Sequence, residues 1–105
     1  MTEEQRALAE ERMDYVERCF ERIGAVAQDI NRKNRELLGQ RQEYLYNGSY
    51  YRVDVAEFDG VPFLIIDRID DEKFAAVGIM EDVEALPLTL SDAELEAAVR
   101  GELEG

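Results

Sequence analysis

The chain is 105 residues long, 46% apolar and 35% charged, with a formal net charge of −13. Enough of it is apolar to exclude a disordered acidic tail, and a field of that sign repels nucleic acid and anionic membrane while attracting basic protein surfaces. Residues 44–105 concentrate the effect, holding fifteen of the 25 acids and four of the 12 bases.

Length and composition predict one domain over residues 1–105. The charged first 22 residues offer no apolar core for a secretory signal, and the longest apolar run, residues 61–66, is far too short for a membrane span. A single cysteine, Cys19, excludes a disulfide framework within the chain. These features predict a cytoplasmic protein with no membrane contact.

In chain order, residues 3–38 read as one long helix. Thr2 and Gln5 have capping-box spacing, Gly39 stands where a C-terminal cap would be, and apolar residues recur from Tyr15 to Ile30 at helical spacing. A straight helix of that length would span about 54 Å and overhang its own domain. It must therefore break, with Gly24 and the polar segment 28–35 as weak points, or pack on a second copy. Val16, Ile23, Ile30 and Leu37, spaced by seven, are the candidate homodimer seam, though Arg12 and Lys33 interrupt the second seam a coiled coil requires.

From Glu43 the apolar period becomes two, predicting an antiparallel sheet of three or four strands over residues 43–80. Asp59-Gly60 is a hairpin turn that pairs Val55 with Leu64 and Val53 with Ile66. A second turn at 70–73 would set Val77 opposite Ile66 and Ile79 opposite Leu64. Asn47-Gly48 offers a further turn after Tyr44 and Tyr46. The opposite face would pair Arg52 with Asp67 in an ion pair worth under about 1 kcal/mol, beside Ala56, Phe58, Phe63, Ile65 and Met80. Those apolar groups need a cover. The candidate is a C-terminal helix over 92–103, begun by a Ser91/Glu94 capping box and stapled by Leu90 and Leu95, after a connection over 81–90. The fold class is α+β: long N-terminal helix, antiparallel meander and short C-terminal helix in two layers.

The chain contains no histidine, which excludes an imidazole base or metal ligand. Cys19 falls on the apolar helix face, as a small core residue does. No glycine-rich phosphate loop is present, and the acids do not have calcium-loop spacing. We expect no cofactor and no metal. Asp70, Asp71 and Glu72, and Glu81, Asp82 and Glu84, form two acidic clusters that the proposed meander places towards opposite ends of its last strand. Arg32, Lys33, Arg35 and Arg41 form one basic patch, and Tyr44, Tyr46, Tyr50 and Tyr51 an aromatic cluster fit either for a sheet edge or for a contact surface.

The expected function is a non-catalytic binding module of the inhibitor, immunity, antitoxin, phage-encoded or chaperone/adaptor kind, acting on a basic protein surface. The two acidic clusters with Phe58 and Phe63 are its candidate contacts. A structural homodimer whose charge serves solubility is the alternative, and a small carboxylate enzyme or metal binder the third reading.

Overall fold

Thr2 accepts a hydrogen bond from the Gln5 amide while the Gln5 side chain returns one from Thr2, and this capping box starts the first helix, α1 (Glu3–Ile23). The computed structural model describes residues 1–30, 32 and 41–105. Helix α1 is shorter than the predicted 3–38. It ends at Gly24, whose φ of 111° is the left-handed conformation that closes a helix, and the chain turns at once into β1 (Val26–Gln28). At about 1.5 Å per residue its 21 residues span about 32 Å. That fits the longest molecular dimension of 35 Å, so α1 does not overhang.

A five-stranded antiparallel meander follows in the order β1, β2 (Glu43–Tyr46), β3 (Ser49–Phe58), β4 (Val61–Ile69) and β5 (Asp82–Pro87). Two tight turns set its register. Asn47 and Gly48, like Asp59 and Gly60, take positive φ at both central positions, the twist a two-residue hairpin needs. Val53 pairs with Ile66 and Val55 with Leu64, as the turn predicted.

The third predicted strand is a helix. Asp71 caps it by accepting from the Lys73 amide, Glu72, Lys73 and two alanines favour it, and Gly78 at φ 79° ends it, giving α2 (Glu72–Val77). Val77 and Ile79, expected in the core opposite Ile66 and Leu64, are 59% and 51% exposed. The predicted connection 81–90 supplies the missing strand instead: in β5, Leu86 stands opposite Leu64 and Glu84 opposite Ile66.

The last helix, α3 (Asp92–Glu104), begins with the predicted Ser91/Glu94 capping box. It does not cover the mixed face of the sheet. Leu95, Val99 and Leu103 join Met13, Val16, Phe20, Val53, Leu64 and Ile66 in one core, so both long helices lie on the same face. Arg12 holds the helices together through Asp92 at 2.5 Å and the Leu90 carbonyl at 2.8 Å, and Arg22 through Glu96 at 3.2 Å. The arginine that interrupts a coiled-coil seam is thus a clamp between α1 and α3.

Candidate partner-binding face

Strand alternation sends Tyr51, Val53, Leu64, Ile66 and Leu86 towards the helices, and Arg52, Asp54, Ala56, Phe58, Phe63, Ile65, Asp67 and Val83 to the outer face. One end of that outer face is covered by α2, which packs against β4 and is followed by the Gly78 carbonyl, 3.5 Å from Arg52 Nη2. Ile65, Ile69 and Ala75 are buried there, apart from the helix-side core. The other end lies open, where Phe58 is 53% exposed, its ring 5.8 Å from that of Phe63, and Val61 is exposed beside it. Met80 and Val83, the latter level with Asp67, are exposed further along the face.

Beside this apolar surface three charged side chains are almost wholly buried: Arg52 is 5% exposed, Asp67 3% and Glu43 1%. Arg52 Nε donates to Asp67 Oδ2 at 3.0 Å, and Arg52 Nη1 lies 3.8 Å from Glu43 Oε1. Sequence reading paired Arg52 with Asp67 but missed Glu43 and the burial. The signal for Glu43 was present in the Asn47-Gly48 turn, which pairs Tyr44 with Tyr51 and so sets Glu43 across from Arg52. Burial pushes the Asp67 carboxyl above its ordinary range; Arg52 opposes that shift and the neighbouring Asp54 carboxylate adds to it. Asp67 Oδ1 is buried without a hydrogen-bond partner among the described residues. A pocket of about 190 Å³ opens over this site, lined by Arg52, Asp54, Val55, Ala56, Ile65, Asp67 and Met80. An apolar concavity of about 210 Å³ between α1 and the sheet end, at Gln5, Leu8, Pro62 and Leu88, gathers no comparable set of charged groups.

The two acidic clusters meet, contrary to the expectation that they sit at opposite ends of a strand. The chain returns from α2 so that the Glu81 amide donates to the Arg68 carbonyl, and Arg68 pairs in register with Asp82. Its guanidinium lies 3.6 Å from Asp70 and 3.7 Å from Asp82, while Ser49 Oγ donates to Asp70 at 2.7 Å. Glu102 of α3 faces the same end. Burial, then Glu84 and Asp82, push its carboxyl above the ordinary range against the opposing effect of Arg68. Asp71 is the helix cap, and Glu72 and Glu84 are exposed. Among the described residues, no group of three or more acidic or cysteine side chains is arranged to hold a metal ion.

The remaining sequence candidates fall elsewhere. Val16 is buried in the domain's own core, Ile23 packs beside it, Ile30 lies beyond β1 and Leu37 outside the described residues, so the seven-residue seam does not run along one helix. Arg41 binds Glu10, Asp14 and Glu17 of α1 and is no free member of a basic patch; Arg32 is exposed, and Lys33 and Arg35 lie outside the described residues. Tyr44 and Tyr51 are core residues packed on Phe20 at 5.3 and 6.4 Å, Tyr44 donating to Glu17 at 3.2 Å. Tyr46 packs against the core and Tyr50 is half-buried on the outer face. Cys19 is buried, and burial raises its thiol.

No helix among the described residues is long and apolar enough to cross a membrane. Architecture places the chain in the α+β class. No known protein family, curated protein or solved structure matches it.

Proposed function

We propose that the protein is a non-catalytic binding module that engages a basic surface of another protein through the open outer face of its sheet. The observation that carries this reading is the exposure of Phe58, Val61, Met80 and Val83 along a face that neither long helix covers. An apolar patch rimmed by charge is the usual form of a protein contact site, with aromatic side chains as anchors. Asp54 stands on the same face, Glu72 and Glu81 stand at its α2 end, and the net charge of −13 favours a basic partner over a second copy of this chain.

Immobilised protein is expected to retain a basic partner from its native lysate in stoichiometric amount at low salt and to release it as salt rises, because exposed charges are screened within about 10 Å at 0.1 M. Phe58→Ser with Val83→Ser, and separately Glu72→Lys with Glu81→Lys, should abolish retention with little change in thermal midpoint, since all four side chains are exposed. The two acidic clusters share one end of the sheet, so reversing either should weaken retention similarly. Undiminished retention by both double variants would overturn the proposal.

A further inference from the structure

We propose that the outer-face pocket between β3, β4 and Met80 receives a lysine side chain of the partner, with Asp67 Oδ1 accepting from its ammonium. The inference rests on the basic-partner reading and specifies the contact. Three observations carry it. Asp67 is a buried residue of the pocket lining; its Oδ2 is engaged by Arg52, and its Oδ1 has no hydrogen-bond partner among the described residues. An unsatisfied buried carboxylate oxygen is costly, and a donor entering the pocket would remove that cost.

Charge points the same way. Asp54 and Asp67 both line the pocket against one guanidinium, that of Arg52, so a cation is favoured and an anion is not. Shape then selects among cations. Ala56, Ile65 and Met80 form an apolar wall suited to an aliphatic stem, with the charged group at its end. At about 190 Å³ the pocket is smaller than the roughly 300–1,000 Å³ of metabolite and cofactor sites, which fits a single side chain. One open acceptor suits the point charge of an ammonium, whereas a guanidinium fork needs two acceptors in its plane.

The test is a titration of the full-length, nitrogen-15-labelled protein with Nα-acetyl-lysine methylamide, followed by amide chemical shifts. Saturable shifts are expected at Ala56, Ile65, Asp67 and Met80, with weaker binding of the arginine analogue and no saturable shift from the norleucine analogue. Asp67→Asn should weaken lysine binding by about tenfold or more. Ala56→Leu should fill the pocket and block binding while leaving both carboxylates in place. If Asp67→Asn does not fold, Ala56→Leu decides. Absence of saturable shifts, equal binding of norleucine, tighter binding of arginine, or lysine binding retained by Ala56→Leu would each overturn the inference. Partner retention by both the parent and Ala56→Leu, without lysine binding, would leave the basic-partner reading standing. Lysine binding without any retained partner would do the reverse.

Discussion

At Arg52 the sheet buries a guanidinium on its outer face, 3.0 Å from Asp67 and 3.8 Å from Glu43. As a surface pair this contact would be worth under about 1 kcal/mol; buried, its disruption is a different matter. Arg52→Met strands Asp67 without its guanidinium and should cost roughly 3–5 kcal/mol at pH 7, measured by urea unfolding. The loss should shrink on acidification, because a stranded carboxylate can be neutralised by protonation. A loss below about 1 kcal/mol would mean that water reaches the pair. On the helix side, Ile66→Ala should cost roughly 2–5 kcal/mol and Val77→Ala under about 0.5, since the first empties a core site and the second alters an exposed one. Comparable losses at the two positions would contradict the observed register of the last strand.

Among the elements, α2 and β5 depart most from sequence expectation. Val77 and Ile79 have the two-residue spacing of a strand, but the local signals at the ends of that segment, an aspartate cap and a glycine in the left-handed region, make residues 72–77 a helix. Gly78→Ala should therefore destabilise by roughly 1–2 kcal/mol, because a Cβ disfavours that backbone region. The same substitution in a regular strand would be neutral or favourable, so the sign of the measured change separates the two structures. Helix α3 shows the opposite case. Ser91 was legible as its start, and Ser91→Ala should cost about 1 kcal/mol through loss of the bond to the Glu94 amide. The Ser91 amide and hydroxyl also hold the Glu94 carboxyl below its ordinary range.

For the whole molecule, charge should set the response to pH. Asp67 and Glu102 have raised values when folded, so the native state binds their protons more tightly than the unfolded chain. Stability consequently increases as pH falls through the raised folded values towards the ordinary 3.8 and 4.5. Glu94, depressed when folded, acts with the opposite sign, and its contribution is lost only below its ordinary 4.5. At low ionic strength, stability should thus rise as pH falls through the raised folded values of Asp67 and Glu102, with the loss from Glu94 setting in only below 4.5. Glu102→Gln should diminish that rise by relieving its repulsion with Glu84 and Asp82. A steady decline in chemical denaturation as pH falls from 7 to 4.5 would show that favourable native contacts of carboxylates dominate.

Sequence alone determined the features that depend on neighbours along the chain. The capping boxes of α1 and α3, the Asp59-Gly60 turn and the pairing of Val53 with Ile66 follow from local backbone preference and from the two-residue period of a strand. Tertiary structure decided what depends on competition between distant segments. Leu86, rather than Ile79, took the core position opposite Leu64 because α2 consumes the residues that would have formed the strand. Both long helices chose the same face because Val16, Phe20, Leu95 and Val99 close one core over Val53, Leu64 and Ile66. The outer face, with its buried Asp67 and exposed Phe58, is what that choice left uncovered, and no single-strand pattern reveals which of two apolar faces the helices will take.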